Sequence, residues 1–267
     1  MSVSPDFSVT VVGGGPTGVE TAGALAELYR GDFAKDYPGV APEDARVTLI
    51  EAGPELFGMF KPKLRDYAEE ALTERGVEVR TGAAVASVTP TTVELKSGET
   101  LKAHTLVWGA GLQGNPLVQS LELALERGSR IGVGPDLTLP GRPEVFVVGD
   151  VAAITDAKTE QVLPQLGSVA LQSGEHAGKT IADRIAGREP KPFKYKDKVT
   201  MATIGRGAAV VQMLGGRTMT GFKAQAAWGA VHLALLPTNE DRAKAVVDWI
   251  GAATTHQRAG RITVERS

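Results

Sequence analysis

The sequence lacks several features that would point to other classes of protein. None of its 267 residues is cysteine, which excludes a disulfide framework, a thiolate zinc site and a Cys-x-x-Cys redox pair within this chain. Neither charge is in excess, since 29 basic and 31 acidic residues give a net charge of -2, and we therefore expect no nucleic-acid partner. Any electrons that this protein moves must pass through a bound cofactor.

Long apolar runs and a targeting signal are also missing. The longest apolar stretch, residues 226–236, is interrupted by a histidine and is shorter than the roughly 20 residues of a membrane-spanning helix. Residues 1–7 have no basic segment followed by an apolar core, so they do not form a secretory signal and we expect a cytoplasmic protein. We expect no metal site, because no partner at metal spacing stands near any of the four histidines, His104, His176, His232 and His256.

What the sequence does contain is an alternation of strand and helix patterns. The length favours about two domains. A β-branched run at 8–12, a helical pattern at 17–29 and a strand at 47–50 predict a parallel β-α-β unit. The later patterns predict a helix over 61–75, a strand over 77–80, a β-meander from 84 that ends in the strand 105–108, a buried strand over 144–148, a long helix over 164–185, two strands within 199–214, and closing helices over 222–236 and 239–254.

The first strand runs into a glycine-rich segment that fits the G-x-G-x-x-G pattern and opens a helix. The segment is Gly13-Gly14-Gly15-Pro16-Thr17-Gly18. In dinucleotide-binding folds the first glycine allows a tight turn, the second lets the backbone approach a pyrophosphate, and the third lets the helix pack closely on the strand. The positive end of the helix would face the phosphates. The segment therefore predicts a dinucleotide site, with a purely structural glycine-rich turn as the alternative.

A carboxylate, Glu51, directly follows the second strand. In these folds an acidic residue at this strand end accepts the hydroxyls of the adenosine ribose, and it repels the 2′-phosphate of NADP. We therefore expect NADH as the dinucleotide. The alternative is that Glu51 is a solvated carboxylate at a strand end.

Four segments, in this order, resemble the type II NADH dehydrogenases, single-chain flavoproteins that pass electrons from NADH to a quinone. The segments are 11–20, 108–111, 144–152, and 195–198 together with 201–206. They resemble the family's NADH-binding turn, its second glycine segment, the strand and Gly-Asp pair that fasten FAD, and the start of its C-terminal, membrane-facing part. The resemblance implies an α/β fold of the two-dinucleotide-binding-domain flavoprotein type, in which hydride passes from NADH to FAD and electrons pass on to a quinone.

The resemblance also implies which residues bind the two cofactors. The second glycine segment would lie beside the nicotinamide half of NADH, and it consists of Gly109, Ala110 and Gly111. FAD would be bound by Gly149, Asp150 and Gln165. For Asp150 the alternative is a helix N-cap.

Three further residues match catalytic positions of the family. Glu20 would lie near the nicotinamide and the flavin, unless it is a first-turn carboxylate that complements the helix dipole. Gln172 and Lys198 would lie at the flavin and quinone end, where an amide orients a quinone carbonyl and an ammonium assists proton delivery. The alternative for both is a polar surface residue.

The sequence departs from the family in two places. Family members carry a first G-x-G-x-x-G unit for the ADP half of FAD, whereas this chain begins at the NADH strand. Ser168 stands where the family has a glutamine at the quinone pocket. We therefore expect a truncated form of a full enzyme, a chain that pairs with a missing flavin half or with a second copy of itself, or a remnant that binds NADH without turnover.

These inferences divide the chain into an NADH-binding domain (1–113), the C-terminal half of an FAD domain (114–190), and C-terminal strands and helices (191–267). The closing helices are expected to lie on the cytoplasmic face of a membrane as an amphipathic hairpin, or to pack on the flavin domain as ordinary helices. The predicted function is NADH:quinone oxidoreduction through FAD. The alternatives are a soluble NADH-dependent flavin oxidoreductase with another acceptor and a non-catalytic NADH-binding module.

Overall fold

The first part of the chain alternates strand and helix. A computed structural model describes residues 7–33, 45–196 and 199–255. Its first elements are β1 (Val9–Val12), α1 (Pro16–Leu28), β2 (Val47–Ile50), α2 (Pro62–Glu74), β3 (Val77–Arg80), β4 (Val85–Val88), β5 (Thr92–Leu95), β6 (Thr100–Lys102) and β7 (Thr105–Trp108). The predicted β-α-β unit, second helix, strand and β-meander are thus confirmed.

The second part of the chain begins with short strands and ends in helices. Its elements are β8 (Leu125–Glu126), β9 (Arg130–Gly132), β10 (Thr138–Leu139), β11 (Arg142–Phe146), β12 (Ala152–Ala153), α3 (Gly167–Ile185), β13 (Val199–Gly205), β14 (Ala208–Met213), β15 (Thr218–Thr220), α4 (Gly221–Leu235) and α5 (Asn239–Thr255). The long helix starts later than predicted because Leu166 is still extended, with φ -128° and ψ 144°. The third strand of the C-terminal group, β15, has no counterpart among the predictions.

The chain forms two compact units, Met1–Ala110 with Val199–Ser267, and Gly111–Lys198. The first unit is built on a parallel sheet in the order β3-β2-β1-β7, and all four residues of β1 are buried. Val12, the last residue of β1, stands opposite Ile50, the last residue of β2. The residues that follow these two strands, Gly13 and Glu51, therefore emerge at the same edge of the sheet.

A second sheet of the first unit lies against α1. It is antiparallel in the order β13-β14-β15, and Ala202, Ile204 and Val210 from it join the core formed by β1, β2, α1 and α2. Helix α4 buries Ala224 against β14 of the same unit. Helix α4 therefore has its buried apolar contact within the first unit. Among the described residues no helix combines the length and apolar character needed to cross a membrane.

The second unit combines α3 with a hairpin, β10-β11, and a three-stranded sheet in the order β12-β9-β8. Ile131, Leu137, Ile154 and Val169 are buried in its core. The predicted buried strand 144–148 is corrected here: β11 is Arg142–Phe146, and its first four residues are exposed. It is exposed because, among the described strands, it pairs only with the two-residue β10.

Candidate dinucleotide site

The turn between β1 and α1 can only be made by glycine at its first position. Gly13 has φ +113°, and a Cβ placed there would lie 2.5 Å from the carbonyl oxygen of Gly109. Its N–H donates to the carbonyl of Ile50 at 2.7 Å, which joins the turn to the neighbouring strand. The N–H of Gly109 in turn donates to the carbonyl of Val12 at 2.7 Å. Backbone from three strand ends therefore meets at this turn.

The sixth position of the motif brings the helix onto the turn. A Cβ at Gly18 would lie 1.8 Å from the carbonyl oxygen of Gly13. No side chain larger than hydrogen fits this distance, so α1 starts in direct contact with the backbone of the turn. This is the close packing that the third glycine of a dinucleotide motif provides.

The middle of the turn is open. A Cβ at Gly15 would meet nothing within 4 Å, Gly15 and Pro16 are half-buried, and Thr17 is exposed. Helix α1 begins at Pro16 with no side-chain cap and no acidic residue in its first turn. Because the first N–H groups of a helix have no intrahelical acceptor, this end of α1 presents positive partial charge to an open space. Such a helix end is suited to binding a phosphate group.

Glu51 is fixed at the edge of the same turn. Its Oε2 accepts from the N–H of Gly14 at 2.6 Å, and its Oε1 accepts from the N–H of Gly53 at 2.6 Å. Short hydrogen bonds from two backbone donors to an ionised carboxylate are strong and hold it in one orientation. Glu51 is therefore pre-positioned beside the turn and is not a freely solvated strand-end residue.

Glu20 has a partner that neither of its expected roles includes. It is the fifth residue of α1 and not a first-turn carboxylate, so the helix-dipole alternative is wrong. Its Oε1 accepts from the backbone N–H of Thr203 at 3.0 Å and from the Thr203 hydroxyl at 3.4 Å. Glu20 therefore links α1 to β13, although the two residues are far apart in the sequence.

Ala110, from the second glycine segment, is exposed in the first unit, and Gly111 is exposed at the start of the second. Gly109, the first residue of that segment, is half-buried.

The predicted FAD residues of the second unit surround a short 3-10 turn, Gly149–Val151. Gly149 has φ +72°, and its N–H donates to Oγ of the buried Ser173 at 3.1 Å. The side-chain amide of Gln165 donates to the carbonyl of Asp150 at 2.9 Å. The Asp150 side chain is exposed and caps no helix, because the residue that precedes this turn is Val148. The N-cap alternative for Asp150 is therefore wrong.

The Gln172 side chain forms hydrogen bonds with the backbone of another segment, so Gln172 is not merely a polar surface residue. Its Nε2 donates to the carbonyl of Lys196 at 3.1 Å, and its Oε1 accepts from the N–H of Lys196 at 3.0 Å. Nearby, the hydroxyls of Ser168 and Tyr195 lie 2.8 Å apart. Lys198, the other residue predicted at this end, lies outside the described residues.

Replacing Gln172 with alanine is expected to loosen the segment around Lys196. The change removes two hydrogen bonds to exposed backbone groups, which water then solvates, and at about 1 kcal/mol for each bond the loss is about 2 kcal/mol. Amide hydrogen exchange measures this at the Lys196 N–H, which is expected to exchange at least about tenfold faster. Gln119→Ala, at an exposed site of the same unit, is the control, and unchanged exchange at Lys196 would contradict the assignment.

Two residues of these sites were not assigned a role from the sequence. Ser173, buried in α3, supports the backbone of Gly149, and Thr203, in β13, binds Glu20. Serine inside a helix and threonine inside a strand are too common to be singled out without tertiary contacts. Within the described ranges, no group of three or more His, Asp or Glu residues is placed to hold a metal ion.

The chain is similar to several known proteins. Residues 4–174 match the family model described as pyridine nucleotide-disulphide oxidoreductase. The chain is 34% identical over 269 aligned positions to the type II NADH:quinone oxidoreductase Ndh of Mycobacterium tuberculosis, which covers 97% of this chain and 56% of that protein. It is 34% identical over 224 positions to the type II NADH:quinone oxidoreductase of Staphylococcus haemolyticus, covering 82% of this chain and 54% of that protein. The chain thus spans about half the length of the curated relatives it matches.

A solved structure supports the fold. The structure of NDH2 from Plasmodium falciparum in complex with NADH matches with a TM-score of 0.85 at 18% identity, covering 93% of this chain and 66% of that chain. The predicted fold class, α/β of the two-dinucleotide-binding flavoprotein type, is confirmed.

Proposed function

This chain belongs to the pyridine nucleotide-disulphide oxidoreductase family, and from that premise we propose that it binds NADH at the turn Gly13–Gly18 and acts as the NADH-oxidising part of a flavin-dependent NADH:quinone oxidoreductase. The observation that carries the proposal is the open backbone at Gly15 beside the fixed carboxylate of Glu51. The names of the curated relatives, which are type II NADH:quinone oxidoreductases, support the choice of substrates.

The turn would bind the pyrophosphate of NADH through backbone alone. The N-terminal N–H groups of α1 would donate to the phosphate oxygens, and the missing side chain at Gly15 would let them approach. Glu51 would then accept the hydroxyls of the adenosine ribose. Its two existing hydrogen bonds leave this capacity intact, because a carboxylate has about four acceptor positions.

Gly149, Asp150 and Gln165 of the second unit would hold FAD. The Asp150 carboxylate is exposed and makes no hydrogen bond with any described residue, so it can accept hydroxyls of the cofactor. Gln165 and Ser173 fix the backbone on either side of it, at the carbonyl of Asp150 and the N–H of Gly149. When bound, FAD supplies the two-electron acceptor that takes hydride from NADH and passes electrons to a quinone.

Glu20, Gln172 and Lys198 are proposed for the nicotinamide, flavin and quinone end. Because the Gln172 amide is already paired with the Lys196 backbone, we assign it a positioning role on the segment that leads to Lys198. Glu20 would keep one oxygen for proton transfer or orientation, since both hydrogen bonds from Thr203 reach Oε1 and leave Oε2 available.

The functional division would follow residues 1–113 for NADH, 114–190 for FAD and 191–267 for contact with a membrane surface or a partner. Exposed apolar side chains on the closing helices, among them Phe222, Leu235 and Ile250, support contact with the cytoplasmic face of a membrane. The remaining flavin contacts would come from a polypeptide that carries the other half of the FAD domain, or from a second copy of this chain.

A second candidate function is NADH binding without turnover. It is considered because this chain spans only about half the length of its curated relatives. Calorimetric titration with NADH, the flavin absorbance of the purified protein, and steady-state assays with a menaquinone analogue and with soluble acceptors separate the possibilities. The proposed activity gives saturable NADH binding, bound flavin and quinone reduction. NADH binding with no flavin and no turnover would favour the second candidate. Turnover with soluble acceptors alone would show that the electron acceptor is not a quinone.

Replacing Glu51 with glutamine is expected to reduce the preference for NADH over NADPH about tenfold, because the charge that repels the 2′-phosphate is lost. Glutamine keeps an acceptor oxygen for only one of the two backbone N–H groups, at Gly14 or Gly53, so thermal unfolding of the variant is measured beside that of the control to show that the turn stays folded. The ratio of the dissociation constants for NADH and NADPH is measured by calorimetry. Glu74→Gln, at an exposed site on α2, is the control. An unchanged ratio would remove Glu51 from the ribose site.

A further inference from the structure

A cleft of about 320 Å³ lies in the second unit, and none of the residues that line it takes part in the proposed function. One wall is a face of α3 and the other is the segment that follows this helix. The α3 residues are spaced at three, four and seven positions, which places them on one helix face. The residues that matter here are His176, Lys179, Thr180 and Asp183 on α3, and Lys191 and Lys194 on the segment.

The second wall is held in place by the residues beside its lysines. Phe193 is buried, and its N–H donates to the carbonyl of Pro135 at 2.7 Å. Its ring packs edge-on against His176, with centroids 5.4 Å apart. The reciprocal hydrogen bonds of Gln172 fix the backbone at Lys196. Both walls of the cleft are therefore held in place by packing and hydrogen bonds.

Positive charge at the cleft is not neutralised within the described part of the chain. Lys179, Lys191 and Lys194 form no ion pair or hydrogen bond through their ammonium groups with any described residue. Of the described residues lining the cleft, only Asp183 is acidic. Its Oδ1 already accepts from Nε and Nη2 of Arg188, at 2.8 and 2.5 Å. Three lysines therefore line a cleft whose one carboxylate has its own counterion.

The electrostatics agree with this arrangement. The hydrogen bond from Arg188 is the main cause of a lowered pKa at Asp183, and the charges of Lys179 and Lys191 lower it further. The charges of Lys179 and Lys191 therefore both act on the Asp183 carboxylate. At His176, Nε2 is buried and has no hydrogen-bond partner among the described residues. A buried polar atom without a partner is rare in folded proteins, and an ordered water or an ion is an explanation for it.

We propose that this cleft binds a small, multiply charged anion of the phosphate class from solution. Lysine ammonium groups bind phosphate as point charges, and several of them around a small volume favour a compact anion over a singly charged carboxylate. The cleft and the dinucleotide turn share no residue, so the two sites can be tested independently.

The test is calorimetric titration of the full chain with inorganic pyrophosphate, with inorganic phosphate as a weaker probe. A Gly15→Ala background weakens uptake by the dinucleotide turn, and all variants are compared within that background. The variant Lys179→Gln/Lys194→Gln is expected to bind pyrophosphate at least about tenfold more weakly, since each charged hydrogen bond lost is worth about a factor of ten. Lys102→Gln/Lys158→Gln, at exposed lysines outside the cleft, should bind as the parent does.

Two results would overturn this site: no saturable binding by the parent at millimolar pyrophosphate, or equal affinity in the cleft variant and the control variant. Circular dichroism checks the folding of each variant. If the double variant does not fold, Lys191→Gln replaces it at an exposed residue, and a weakening of about threefold is expected. Equal affinity in that variant would also overturn the site.

Discussion

Alanine at position 15 is expected to weaken NADH binding at least about tenfold and to leave the unfolding temperature unchanged. The backbone at Gly15 has φ -77°, which alanine adopts readily, and the added Cβ meets no atom within 4 Å. The folded protein therefore accepts the change. The methyl group would occupy the space into which a pyrophosphate must come to reach the N–H groups of α1, so the loss should fall on binding alone. Calorimetry and thermal unfolding measure the two effects.

Two other glycines make this result specific. Gly58→Ala also adds a Cβ with no neighbour within 4 Å, but outside the turn, and it should change neither property. Gly18→Ala places a Cβ 1.8 Å from the Gly13 carbonyl oxygen and should lower stability and affinity together. If Gly15→Ala binds NADH as tightly as the unmodified chain, the pyrophosphate does not lie at this turn and the proposed function loses its basis.

The turn could be predicted from sequence because its geometry is local. A strand, three glycines at fixed spacing and a helix start lie within Val9–Leu28; Gly13 and Gly18 are needed for close backbone contacts, and Gly15 leaves the middle of the turn open. Glu51 could be predicted for the same reason, since it follows the strand that pairs with β1. Its hydrogen bonds to Gly14 and Gly53 add the detail that the carboxylate is already oriented before any ligand binds.

The contacts of Glu20 and Gln172 could not be predicted, because their partners are backbone groups brought near by the fold. Glu20 reaches the N–H of Thr203, which is 183 positions away. Gln172 pairs with both polar groups of the Lys196 backbone, which any residue type would offer. Neither contact leaves a pattern in residue types. The sequence identified both residues through family resemblance and could not identify what they touch.

The exposure of β11 shows a different limit on what sequence can predict, namely whether an apolar strand is buried. Val145 and Phe146 belong to an apolar run that predicts burial, yet Val145 is 39% exposed. Apolar composition indicates that a strand is suited to burial, but burial also needs a neighbouring element on that face. Within the described ranges β11 pairs only with the two-residue β10, and Arg184 of α3 lies over the Phe146 ring and not over Val145. Its apolar face is thus available for a further strand or helix, as the proposed pairing with another flavin half requires.

Replacing Gly23 with alanine is expected to destabilise the first unit by about 3 kcal/mol, although alanine is the better helix former. Gly23 lies inside α1, and a Cβ there would be 1.8 Å from the carbonyl oxygen of Ile204 in β13. The helix and the strand would have to separate. Separation would also weaken the hydrogen bond from the Thr203 N–H to Glu20, now 3.0 Å long, so the C-terminal sheet would lose two of its links to α1. Denaturant unfolding measures the loss.

The matched control is Gly178→Ala in α3, where the added Cβ has no neighbour within 4 Å. With no clash to oppose it, the gain in helix propensity should stabilise the protein by up to about 1 kcal/mol. The same substitution in two helices is thus expected to act with opposite signs, and the difference isolates the contact between α1 and β13. If Gly23→Ala were as stable as the unmodified chain, β13 would not lie on α1, and the position assigned to Glu20 beside Thr203 would be wrong as well.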